Sequence, residues 1–314
     1  MLFRYGDRAP AVPYPLDPYR DYPWPGGYEA LSQRGAEQLH TSGLIKSVRS
    51  VQRCVDSVTN FLNGFVKVEW PSKLINVIPL DQDEMLAVPG KSCPKYVKII
   101  RTGPPLDDPE FKKIIDFESA EGKEFLAHIE KNTGLPTFWS SILLNLEDTL
   151  SIQKDNNLEL PAWSEPVYEP YLKSLSPIVF DGWSSSYYMK IRSSALFKDM
   201  TNRFDNLITG SADQNILLYS AHDATIGGML YLFGIRDQIP VMPAYGSSLN
   251  LELHGNAEIE NDYEVKLVYS ATYDDENPTE VSIPNCSAPC PYKKFKANIQ
   301  PNLVDEDYDV VCSN

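Results

Sequence analysis

The run Asn215-Ile216-Leu217-Leu218-Tyr219-Ser220 constrains the fold of this chain more than any other stretch. It is short, apolar in its middle and bounded by polar residues, which suits a strand buried on both faces of a parallel sheet. It runs through Ala221-His222-Asp223 straight into a helix predicted over Ala224–Phe233, which Gly234 stops. The N-terminus repeats that order. Met1 to Phe3 reads as the last step of a strand, about 10 Å long at ~3.3 Å per residue. It passes into Arg4-Tyr5-Gly6-Asp7-Arg8-Ala9-Pro10 and then a Pro/Tyr-rich loop from Pro13 to Gly27.

Helices are predicted over Ser32–Ser42, with Gly43 as its stop, and over Gln52–Phe65, where Val55, Val58, Leu62 and Phe65 form an apolar stripe. Between Leu80 and Ser176 the reading is mostly helical, with amphipathic segments at Asp116–Lys131 and Phe138–Gln153 joined by Pro-rich connectors. A long helix is expected over Trp183–Leu207. Leu249, Leu251 and Leu253, then Tyr263, Val265, Leu267 and Tyr269, alternate with polar residues around His254-Gly255-Asn256, the signal of an antiparallel hairpin. Strand–loop–helix units at both ends of a helical insertion predict an α/β class. The expected architecture is a mostly parallel central sheet with flanking helices over 1–80 and 177–314, plus a smaller helical cap insertion over 81–176.

The formal charge of −15 excludes nucleic acid and anionic membrane surfaces as favoured partners. An anionic substrate would need a local basic cluster to overcome that field. No apolar run reaches about 18 residues, so no transmembrane segment is expected. Met1 leads at once to Leu2-Phe3-Arg4 without a basic and then apolar leader, so a signal peptide is not read and an N-terminally truncated sequence is expected. The cysteines are Cys54, Cys93, Cys286, Cys290 and Cys312. Cys286 and Cys290 sit in a Pro-flanked loop with no zinc partner pair or redox motif, so they are either a local disulfide, the favoured reading, or a pair of surface thiols. Disulfides imply an oxidising compartment, and the glycosylation sequon Asn285-Cys286-Ser287 agrees with a glycoprotein.

Three features carry chemistry. Arg4 and Arg8 flank Gly6 at the end of a strand, where guanidinium forks match phosphate geometry and Gly6 lets backbone approach an anion. The plainer alternative is two surface arginines bridging to Asp7 and Asp21. His222-Asp223 ends the second strand, placing an acid where it can protonate a leaving oxygen; otherwise His222 is a structural histidine. Arg53 opens the second helix, whose dipole also favours an anion; otherwise it is a solvated first-turn charge.

Arg4-Tyr5-Gly6-Asp7-Arg8-Ala9-Pro10 resembles the Arg-His-Gly-x-Arg-x-Pro signature of the histidine acid phosphatases, the second branch of the histidine phosphatase superfamily. Tyr219 to Thr225 is similar to their second signature, Leu31–Gly43 to the helix after the first loop, Arg49–Ser57 to the segment bearing the third arginine, and Pro243–Leu249 to the approach to their penultimate strand. The likeness runs in consistent order over essentially the whole chain. The helical insertion and the His-Asp motif separate it from the phosphoglycerate mutase branch, although the fold implied is phosphoglycerate mutase-like.

The resemblance implies hydrolysis of phosphate monoesters at acidic pH, with no cofactor and no metal. Arg4, Arg8, Arg53 and His222 would bind the phosphoryl oxygens, and Asp223 would be the general acid on the leaving alcohol. Disulfides Cys93–Cys312 and Cys286–Cys290 are implied, leaving Cys54 outside any bridge. A secreted or lysosomal location is also implied, with a small phosphomonoester or a phosphorylated peptide as partner and a homodimer as the assembly common among relatives. One position departs. The family attacks phosphorus with the imidazole between the first Arg and the Gly, forming a phosphohistidine that water cleaves; here that nucleophile position is Tyr5. A phenol ordinarily titrates near 10, so at acidic pH it is a protonated, poor nucleophile. A catalytically impaired phosphatase that binds phosphorylated ligands is therefore the alternative function. The segment between Gly43 and Arg49 is also short, so the strand feeding the Arg53 loop is expected to be missing.

Overall fold

The computed structural model describes residues 1–42, 48–49, 52–66, 76–87, 90–137, 139–211, 216–259 and 263–313. The expected helix stop at Gly43, the helix start at Phe138 and the strand start at Asn215 lie outside the described residues, as does the side chain of Phe65. Two compact units form: one from 1–7, 33–93 and 184–314, the other from 8–32 and 94–183.

In the first unit, β1 (Leu2–Arg4) is followed by α1 (Gln33–Ser42), β2 (Val48–Arg49), α2 (Gln52–Val66) and β3 (Val77–Ile78). The unit resumes with α3 (Tyr187–Ile208), β4 (Tyr219–Ala221), α4 (Asp223–Leu232), β5 (Ser248–Gly255), β6 (Tyr263–Ser270), β7 (Thr279–Val281), β8 (Cys290–Pro291) and α5 (Tyr292–Ile299). The main sheet runs β4-β1-β5-β6-β7, with β8 also paired to β6. Its parallel character is confined to β1 against β4; β5, β6, β7 and β8 all pair antiparallel. The sheet is thus mixed rather than mostly parallel among the described residues. The reason is local: alternation over Leu249–Leu253 and Tyr263–Tyr269 builds a long hairpin, paired from Ser248↔Ser270 to Gly255↔Tyr263. Val265, Leu267 and Tyr269 turn into the core, while Glu264, Lys266 and Val268 stay half-exposed.

The strand expected to be missing before Arg53 is present as β2, which pairs parallel with β3 in a separate two-stranded sheet. The helix predicted as one piece over 183–207 divides. One helix ends at Ser184, and α3 starts after Ser186, whose hydroxyl accepts from the Met189 N–H at 3.3 Å. Three consecutive serines favour a cap over helix continuation there. Burial of the inner face of α3 builds the main core, in which Phe197, Phe233 and Phe295 pack with ring centroids 5.6–5.9 Å apart. Beneath it, the fully buried Arg192 lies 3.6 Å from the equally buried Asp83 carboxylate and donates to the Asp83 carbonyl at 2.9 Å. That carboxylate also accepts the backbone N–H groups of Met85, Leu86 and Ala87.

The second unit is helical, with its longest segments at Ala120–Thr133, Ser141–Asp155 and the 173–183 stretch, around a core that includes Phe111, Phe125, Ile129, Leu146 and Leu172. It takes in the Pro/Tyr-rich loop, beyond the 81–176 expected for the insertion. Tyr14 meets Trp163 edge-on at 6.0 Å, Leu16 N–H donates to Thr133, and Gln153 donates to the Asp17 carboxylate at 3.0 Å. Residues 81–93 belong instead to the first unit, held by the Asp83–Arg192 contact and by the Cys93–Cys312 disulfide. Among the described residues no helix is long and apolar enough to cross a membrane.

Candidate active site

β1 and β4 run parallel and stop in register, Arg4 opposite Ala221. The residues that follow on both strands leave the sheet at its carboxyl edge, where open α/β sheets hold ligands. Tyr5 extends the ladder by one bond, its N–H donating to Ala221 at 3.2 Å, and its carbonyl accepts from Gly246 N–H at 3.2 Å. On the other strand, His222 precedes α4 and its carbonyl accepts from Ile226 N–H. Asp223 opens that helix, where a carboxylate complements the dipole. α2 supplies Arg53 from its first turn. The helix is pinned to the strand ends by Ser220, whose hydroxyl donates to the Cys54 carbonyl at 3.2 Å, and by Ser57, whose hydroxyl accepts from Gly6 N–H at 3.3 Å.

Arg4, Tyr5, Arg53, His222 and Asp223 therefore meet in one unit. Arg4 Nη2 lies 2.9 Å from Asp223 Oδ2, and Nη1 donates to the Pro243 carbonyl at 2.6 Å. The other oxygen of Asp223 accepts from Ala224 N–H at 2.7 Å. The Arg4 guanidinium lies 4.1 Å from the Tyr245 ring centroid and 5.5 Å from that of Tyr5. Arg53 lies 4.7 Å from the Tyr5 ring, and His222 meets that ring edge-on at 5.4 Å. Tyr5 is only 3% exposed. Its ring thus takes the contacts of two guanidiniums and an imidazole. Nearby, burial pushes the Tyr269 phenol up, while Arg236 and Arg4 pull it back.

Arg8 is the first residue of the second unit, where its Nη2 donates to both oxygens of Asp148 at 3.2 and 3.1 Å. Asp7, one of the two partners in the alternative reading, is bridged by Arg34 at 2.8 Å. Gly6 also answers a packing need. A methyl group there would collide with the Gly35 carbonyl of α1, and one at Gly35 with the Asp7 carbonyl. The pair of glycines lets α1 press on the strand exit. Both implied disulfides form, Cys93–Cys312 and Cys286–Cys290, and Cys54 is in no bridge, with its thiol 3.9 Å from the Ala221 carbonyl.

Sequence reasoning missed Tyr245, Pro243, Ser57 and Asp148. The stretch Pro243-Ala244-Tyr245-Gly246 carried a signal in its turn-forming composition, but nothing in it pointed to a platform for Arg4. Asp148 lies in the middle of a predicted helix and gave none.

No family model matches the chain. Human lysosomal acid phosphatase is 24% identical over 99% of this chain and 79% of its own length. Human prostatic acid phosphatase is 23% identical over 99% and 86%, and the lysosomal acid phosphatase of Xenopus laevis 26% over 99% and 77%. Among solved structures, the phytase of Citrobacter braakii superposes with a TM-score of 0.61 at 14% identity, covering 99% of this chain and 98% of that one. The phytase of D. castellii gives 0.61 at 14%, covering 100% and 80%. These structures share its fold.

Proposed function

We propose that the chain is a member of the histidine acid phosphatase family, and that it binds phosphomonoesters at Arg4, Arg53 and His222 but turns them over poorly. The observation that carries the reading is the Tyr5 ring, buried against Arg53, Arg4 and His222. Two guanidiniums beside a helix N-terminus favour a phosphoryl dianion, and a phenol in place of the imidazole removes the labile P–N intermediate. Asp223 is the proposed proton donor to the leaving alcohol. By resemblance, Arg8 is a further proposed phosphate ligand. A small phosphomonoester or a phosphorylated peptide is the proposed ligand. The two disulfides support a secreted or lysosomal location.

The deciding experiment compares the parent with Tyr5→His for hydrolysis of an aryl phosphate near pH 5 and for binding of inorganic phosphate. An inactive parent that binds phosphate, beside an active variant, supports a phosphate-binding protein disarmed at one position. An active parent overturns the reading and makes this a phosphatase with an altered nucleophile. Loss of phosphate binding in both removes the pocket itself.

A further inference from the structure

We infer that Asp223 is a built-in competitor for Arg4, so that an anion enters the pocket by exchanging with the Asp223 carboxylate. The inference rests on the reading above that Arg4 belongs to an anion pocket. Three facts carry it. Asp223 Oδ2 holds Arg4 Nη2 at 2.9 Å, an N–H group that a phosphoryl oxygen would otherwise take. The Pro243 carbonyl at 2.6 Å and the Tyr245 ring at 4.1 Å fix the rest of the guanidinium, so Arg4 cannot swing away to meet a ligand elsewhere. Asp223 has somewhere to go: its side chain is 22% exposed against 10% for Arg4, and its other oxygen stays anchored on Ala224 N–H. The movable partner of the pair is therefore the carboxylate.

Exchange links binding to chemistry. An anion that takes Arg4 leaves Asp223 with one anchored oxygen and one released from its cation. The released oxygen, no longer beside a guanidinium, takes a proton from solvent more readily and can then give it to a leaving group. In the empty pocket the same contact keeps the acid closed on Arg4, and only a ligand strong enough to replace a carboxylate opens it. Phosphoryl and sulfuryl dianions meet that requirement better than monoanions do.

The test is a double-mutant cycle on the full chain, with inorganic sulfate as probe at pH 7 and calorimetry as readout, using Asp223→Asn, Asp223→Ser, Arg4→Gln and the combinations. Sulfate keeps its charge across this range, so the affinity reports the protein. Both Asp223 variants are expected to bind sulfate about tenfold tighter than the parent, and the gain is expected to vanish when Arg4 is Gln. Unchanged affinity in both Asp223 variants overturns the inference while leaving the pocket intact. A gain that persists with Arg4→Gln also overturns it, because Asp223 then acts only as a nearby charge. Sulfate binding in none of the proteins overturns the pocket and the inference together.

Discussion

The ring of Tyr5 meets the imidazole of His222 edge-on, with 79° between planes and 5.4 Å between centroids. In-register ends of β1 and β4 impose that meeting, since Tyr5 and His222 each follow a paired residue, Arg4 and Ala221. The side chain at position 5 is therefore both a core residue, packed with Phe3, Leu39, Val58 and Leu62, and a neighbour of Arg4, Arg53 and His222.

Tyr5→Ala is expected to cost roughly 3–5 kcal/mol of stability, the range for deleting a buried aromatic ring, whereas Tyr5→Phe keeps the contacts with Arg53 and His222 and stays within about 1 kcal/mol. Urea unfolding of the three proteins checks this. Equal stabilities would mean that the ring packs against nothing.

Gly35→Ala is expected to destabilise the fold by about 3 kcal/mol, at the upper end for overpacking, because the methyl meets the Asp7 carbonyl. Glu37→Ala, exposed on the same helix, is the control and should change stability by less than about 0.5 kcal/mol. Thermal melts distinguish the two.

Burial raises the Asp17 carboxyl above its ordinary range, despite its bonds from Tyr19 and Gln153. A carboxyl with a raised folded-state pKa gives its full support below the unfolded value and loses it as pH rises through the folded one. Asp17→Asn is therefore expected to melt higher than the parent at pH 7, with the gap closing as the pH falls towards about 4. A gap that widens in acid would reverse the assignment.

Arg192→Met leaves the Asp83 carboxylate buried without its cation and is expected to cost roughly 3–5 kcal/mol. Asp83→Asn should also destabilise, because the carboxylate accepts three backbone N–H groups. The double variant is expected to lose less than the two singles combined, measured by equilibrium unfolding.

Much of this was legible in local patterns. The helix after Asp223 and the hairpin from Leu249 to Tyr269 stand where the sequence pattern puts them, whereas the strand read over Asn215–Ser220 is confined, among the described residues, to Tyr219–Ala221, with Ile216 exposed. The gathering of Arg4, Arg53, His222 and Asp223 followed from three strand–helix junctions. What escaped depends on distant partners. Tyr245 becomes a platform only because Arg4, 241 positions away in sequence, takes the carbonyl of Pro243 beside it. The loop before Ser32 joins the helical unit through Trp163, Thr133 and Gln153, none of which is near it in the chain. Charge and propensity fix neither.

The bond between Cys93 and Cys312 closes a span of 219 positions, so the covalent backbone is a lariat: a free arm of residues 1–92 and a ring that contains nearly everything else. One proteolytic nick anywhere between residues 94 and 311 opens the ring but sheds no fragment, and every helix from Pro94 to Trp183 lies within that protected arc. Such a molecule would run as one band on a denaturing, non-reducing gel and fall into two pieces only when thiol is added, whereas a cut in the arm would give two pieces on the same gel without thiol.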